Sequence, residues 1–140
     1  MDEAALLESL GEELIRDWDV SATGSGYLVI SDWHWPNNDR IEIFVRAVGD
    51  RDDLFIVSDG GDLFNFLFSN GVDLTKDDRS MKLFKSVARN YGAEFVDYQI
   101  VKGAGAGDLA SAIRAIVEAI KDVSLLMWHK FSEGQEGEPS

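Results

Sequence analysis

Two carboxylates placed three residues apart, Asp59 and Asp62, are the residues whose type and spacing best suit chemistry. They fall in LFIVSDGGDLFNFLFSNG, residues 54–71, between an apolar run and an apolar helix. Such a pair can ligate a hard divalent cation or cap a helix. A hard-cation site takes about six or more oxygen ligands, and the sequence fixes no others nearby. Capping needs nothing further, because Asp accepts backbone N–H groups at a helix start and suits the positive end of its dipole. Capping is therefore the first reading. A metal-assisted enzyme using Asp59 and Asp62 is the alternative.

The other reactive residue types form no complete motif. His34 and His129 are the only histidines, they lie in unrelated elements, and no GxSxG elbow accompanies them. There is no cysteine, which excludes disulfides, thiolate nucleophiles and thiolate metal sites. Gly103, Gly105 and Gly107 lie between a strand and a helix, as phosphate loops do, but Asp108 stands where the last glycine belongs and no GK[ST] follows. An Asp at that helix start would repel a phosphate. The stretch reads as a flexible loop with an Asp N-cap. No cofactor is implied.

Charge points toward binding instead. Twenty-six acidic residues against 13 basic ones leave a net charge of −13. Such a field disfavours nucleic acid and anionic membranes and favours basic partners. Glu8, Glu12, Glu13 and Asp17 make the outer face of an N-terminal helix acidic, and Asp50, Asp52 and Asp53 crowd one turn. Trp33 and Trp35 in a Pro-containing loop either anchor a partner or fold over the sheet edge. Phe66 falls on the polar side of its helix and is either covered or exposed. These ten residues are the candidate partner-binding set. Lys82, Lys85 and Arg89 form the one basic helix face, suited to pairing with the acidic helix of a second copy.

The elements that would position these residues follow from periodicity. Residues 2–18 carry Leu6, Leu7, Leu10, Leu14 and Trp18 at helical spacing. Tyr27–Ile30, Ile41–Val48, Leu54–Val57 and Glu94–Val101 read as strands, with Val96, Tyr98 and Ile100 on one face of the last. In the strand at 41–48, Ile41, Ile43, Val45 and Ala47 share a face and Glu42, Phe44 and Arg46 share the other. Leu54–Val57 reads as buried on both faces. Residues 62–70 form a helix with Leu63, Phe64, Leu67 and Phe68 as its stripe, ended by Gly71. Thr75 and Asp78 fit a capping box opening a helix at 76–91, with Phe84, Val87, Ala88 and Tyr91 inward. A helix from Asp108 to about Phe131 presents Leu109, Ile113, Ile116, Val117, Ile120, Val123 and Met127. The expected fold is α+β, an antiparallel sheet of about four strands packed by three to four helices. One domain is expected over 1–131, with a disordered polar tail at 132–140. No apolar run reaches 18 residues and Met1-Asp2-Glu3 does not suit a signal peptide, so a cytoplasmic protein is expected.

The order of features, Ser58-Asp59-Gly60-Gly61 with Leu63 and Leu67, then Asn70-Gly71-Val72-Asp73-Leu74 and Asn90-Tyr91-Gly92-Ala93-Glu94, resembles the prokaryotic and phage family known as domain of unknown function 1828. The resemblance covers about Val20 to Phe131. It implies an α+β domain often encoded on mobile elements, and it carries over no catalytic residue. Together with the charge it leads to the expectation of an acidic binding protein. Its partner would be a basic, nucleic-acid-handling protein surface, with a self-associating structural protein as a further alternative.

Overall fold

Alternation along the third strand decides the layering. Ile41, Ile43 and Val45 are buried, while Phe44 and Arg46, which alternate with them, are exposed. Among the described residues, the sheet therefore has one covered face and one more open face, as antiparallel sheets commonly do. The structure, a computed structural model, describes residues 19–136 except 25, 35–38, 50 and 52; side-chain surroundings are described for these except residues 32 and 127–136.

The strands are β1 (Asp19–Thr23), β2 (Gly26–His34), β3 (Arg40–Ala47), β4 (Leu54–Ser58), β5 (Glu94–Val96) and β6 (Gln99–Gly105). The helices are α1 (Asp62–Ser69), α2 (Asp78–Asn90) and α3 (Leu109–Glu136). The fold is α+β, with one six-stranded sheet in the order β1-β2-β3-β4-β6-β5 and every neighbouring pair antiparallel. β1 to β4 form a meander, and α1, α2 and β5 are inserted before β6 returns beside β4.

α3 packs across β3, β4 and β6. Its Leu109, Ile113, Ile116, Val117, Ile120 and Val123 meet Val29, Ile43, Val57 and Ile100 in one buried cluster, together with Leu63 and Leu67 of α1 and Phe84 of α2. Burying one such aliphatic side chain contributes about 1.5–3 kcal/mol, so this layer supplies most of the fold's stability. Ala104 sits beneath it on β6, where a small residue lets helix and sheet approach.

Several expectations change. The strand expected over 94–101 is a hairpin. Asp97 and Tyr98 take φ 51° and 64°, the two-residue turn with positive φ at both central positions, and Val96 pairs with Gln99. Val96, Tyr98 and Ile100 consequently do not share one strand. The flexible loop expected at 102–107 is mostly strand, because Gly103 and Gly105 pair with Ile56 and Leu54 on β4. With the β1 strand and this hairpin the sheet reaches six strands, against the four expected. β4 is buried on one face only: Phe55 and Val57 are covered, Leu54 and Ile56 half-exposed. The α2 cap is Asp77, whose side chain accepts from Arg79 and Ser80 N–H, and not Thr75. Thr75 is instead held by Asp73 in a 3₁₀ turn. α3 continues to Glu136, past the end expected near Phe131. Among the described residues, no helix is long and apolar enough to cross a membrane.

Candidate functional site

Asp59 lies at the junction of β4 and α1 and is 1% exposed. Its Oδ1 accepts from Gly61 N–H at 2.9 Å and from Ile100 N–H at 3.0 Å, and its Oδ2 accepts from Leu63 N–H at 3.2 Å. Its own N–H donates to the Ile100 carbonyl. One carboxylate thus satisfies the opening of α1 and ties it to β6 across the sheet. Gly60 and Gly61, at φ 67° and 85°, turn the chain so that these amides converge. Burial pushes the Asp59 carboxyl upward, and the three amides act against that. The arrangement is capping chemistry with a long-range bond added, and both oxygens are occupied.

Asp62 begins α1 directly after the Gly60-Gly61 turn. Burial, then repulsion from Asp59 and from Glu42, raises its carboxyl to about 6. The neighbouring Ser58 hydroxyl donates to Gln99 Oε1 at 2.6 Å and accepts from Gly60 N–H at 2.9 Å. Among the described residues no group of three or more His, Asp or Glu side chains is arranged to hold a metal ion.

On the open face, next to this turn, a groove of about 370 Å³ is lined by Tyr27, Phe44, Arg46, Ile56, Ser58 and Gln99 among others. Phe44 lies directly over Gly60: a Cβ there would come within 2.6 Å of its ring. The strand alternation already marked Phe44 and Arg46 as opposite to the core. What it did not show is that Leu28, Ile30, Leu54, Ile56 and Val101 share their face, because cross-strand register is not written in a single strand.

Of the candidate partner-binding residues, Trp33, Asp53 and Phe66 are described, and they lie on separate elements. Glu8, Glu12, Glu13, Asp17, Trp35, Asp50 and Asp52 lie outside the described residues. Trp33 is 46% exposed near the end of β2, and Lys121 Nζ of α3 stands 3.5 Å from its ring centroid. Its ring is thus partly engaged inside the molecule by a cation–π contact. Asp53 is exposed, but Arg51 pairs with both its oxygens at 2.9 Å and holds its carboxyl below the usual range. Phe66 is half-buried against the core, while Phe68, expected inside, is 59% exposed. The buried arc of α1 centres on Leu63 and Leu67, which carries Phe68 past its edge. Phe64 turns toward the hairpin, where it meets Tyr98 at 4.7 Å and Phe95 at 6.2 Å between ring centroids. Lys82, Lys85 and Arg89 are exposed on α2, opposite Phe84, Val87 and Ala88.

The family model described as domain of unknown function DUF1828 matches residues 34–123, from the end of β2 to the middle of α3 and more than half of the chain. The chain belongs to the DUF1828 family. The match includes the Asp59 junction, the hairpin and the basic face of α2. No curated protein and no solved structure matches this DUF1828 chain.

Proposed function

We propose that this DUF1828 chain is a non-enzymatic acidic binding protein that occupies a basic surface of a partner as an inhibitor or decoy. The surface it suits best is one that otherwise binds nucleic acid, in a bacterial, phage or mobile-element setting. The observation that carries this is the placement of charge. Among the described carboxylates whose surroundings are known, Asp59 alone is buried, and the others reach solvent. Asp19, Asp53 and Glu118 are held in ion pairs by Arg40, Arg51 and Lys121. With 26 acids against 13 bases, the chain as a whole carries a surplus of negative charge. Such a field speeds encounter with a basic partner and weakens as salt screens it over about 8–10 Å.

The contacts proposed are Glu8, Glu12, Glu13, Asp17, Asp50, Asp52 and Asp53, with Trp33, Trp35 and Phe66 as apolar anchors. The pairing of Asp53 with Arg51 and the packing of Phe66 put most of the weight on the first six. The test is capture from a bacterial lysate at low and moderate salt, beside a variant carrying Glu12→Lys, Glu13→Lys, Asp52→Lys and Asp53→Lys. The reading expects a nucleic-acid-handling protein to be retained by the parent, released as salt rises, and lost from the variant. Retention unchanged by charge reversal would remove it.

A further inference from the structure

We propose that Tyr98, backed by Phe64 and Phe68, is the anchor by which the chain enters a partner's cleft built to stack an unpaired nucleobase. Tyr98 is the second residue of the two-residue turn at the tip of the β5–β6 hairpin, at φ 64°. That is the left-handed region, where glycine and short polar residues are at home and a bulky ring is not. Packing recovers only part of the ring, for Tyr98 is 55% exposed. Strain retained at an exposed aromatic points to a use outside the fold. The ring is nevertheless held in place. It meets Phe64 of α1 at 4.7 Å and Phe95 of β5 at 6.3 Å between centroids. Phe95 in turn meets Phe84 of α2 at 4.7 Å, and Phe84 is fully buried. A chain of rings thus runs from the core to the hairpin tip. Phe68 lies one helical turn beyond Phe64, on the same side of α1, and is 59% exposed. Two exposed rings next to a half-buried one make an apolar ridge, and a ring already held in place loses little freedom on binding.

Charge decides the occupant. Glu94 and Asp97, on the same hairpin as Tyr98, are exposed. A second copy would bring these carboxylates against a chain of net charge −13, and β5, with three residues, offers only a short edge for another strand. A basic surface gains from the same carboxylates. An aromatic ring beside carboxylates presents what a single-stranded nucleic acid presents, a flat ring beside anions. Proteins that bind single strands offer the complement, aromatic side chains for stacking within a positively charged groove. In such a cleft Tyr98 takes the place of a base, and Asp97 and Glu94 take the place of phosphates. The partner class rests on the acidic-binding reading, and the anchor is additional to the contacts named there.

The experiment loads an oligothymidine resin with the single-strand-binding proteins of a bacterial lysate and measures how much of the full chain is needed to elute them at low salt. The parent is expected to release bound protein, and about tenfold more of Tyr98→Gly or of Phe68→Asn is needed for the same release. Glycine relaxes the turn and Phe68 lies outside it, so the two variants lose the rings without sharing a route to unfolding, and thermal melts check that each is folded. Tyr98→Phe keeps the ring and should release as the parent does, as should Leu125→Asn, a change at an exposed residue of α3. Equal release by the parent, Tyr98→Gly and Phe68→Asn overturns the proposal and leaves the acidic-binding reading standing. No release by the parent also overturns it, and the salt-dependent capture from lysate then decides the acidic-binding reading separately. Equal release from a duplex DNA resin overturns the assignment to a base-stacking cleft. A dimer of the parent in light scattering that Tyr98→Gly dissociates gives the ridge to a second copy and overturns the proposal as well.

Discussion

Replacing Asp59 by alanine removes the acceptor for the N–H groups of Gly61, Leu63 and Ile100 together. A hydrogen bond to a charged group contributes about 1.5–3 kcal/mol net, and a buried donor left without an acceptor costs about 1–3 kcal/mol. The three bonds share one buried charge whose desolvation offsets part of the gain, so the expected loss is about 4 kcal/mol rather than the full sum. Asn keeps Oδ1 on Gly61 and Ile100 but sets an NH₂ against the Leu63 N–H, which loses one bond and opposes two donors. Its expected cost is about 2 kcal/mol. For 140 residues the unfolding entropy is about 0.3 kcal/mol per kelvin, so Tm should fall by about 13 °C for Asp59→Ala and about 7 °C for Asp59→Asn. Thermal scans with urea melts give both numbers. The same scans in millimolar Mg²⁺ or Mn²⁺ separate capping from metal binding, since a ligand of the native state raises Tm by mass action. The capping account expects no rise. A loss below about 1 kcal/mol for Asp59→Ala, or equal losses for the two variants, would refute the reasoning.

Asp62 is raised to about 6 in the fold, so the native state holds its proton more tightly than the unfolded chain does. Stability from this group is then present at low pH and falls as pH rises from about 4 to about 6. Asp62→Asn should flatten that decline in pH-dependent melts and stabilise the protein at pH 7 by about 1 kcal/mol, after allowance for partial solvent screening. Tyr98 combines φ 64° with a ring contact to Phe64. Tyr98→Ala should cost about 1–2 kcal/mol in urea melts and Tyr98→Gly less, because glycine alone relieves the backbone. Lys102 Nζ donates to the Tyr91 and Gly92 carbonyls at the end of α2. Lys102→Met should therefore lower stability by about 1 kcal/mol, read from the same melts, with the loss shrinking in high salt.

The core was legible where burial follows a period. The α3 stripe from Leu109 to Val123 and the alternation of Ile41, Ile43 and Val45 were readable, because burial on one side imposes that spacing. The Asp59 cap was readable as local chemistry, since the two amides it serves on α1 lie within four residues. Its third bond, to Ile100, was not, because it joins residues 41 apart whose proximity arises only when β6 returns beside β4. The Asp97–Tyr98 turn was hidden for a different reason: a tyrosine at positive φ goes against local preference and is held by a tilted ring contact with Phe64. Glycines 103 and 105 read as loop residues because strand propensity counts side chains, whereas here their lack of one is what the sheet uses. Phe68 was expected inside, and the fate of Phe66 was left open, because an eight-residue helix buries too narrow an arc for a wheel to place its margins.

The measurement that bears most directly on the acidic-binding account is a competition between this chain and nucleic acid for the captured partner, followed by fluorescence anisotropy across a salt series. The account predicts that the chain displaces the nucleic acid completely, that its apparent affinity falls steeply as salt rises, and that the four-lysine variant fails to compete. A ternary complex of partner, nucleic acid and chain, or displacement insensitive to salt and to charge reversal, would contradict it.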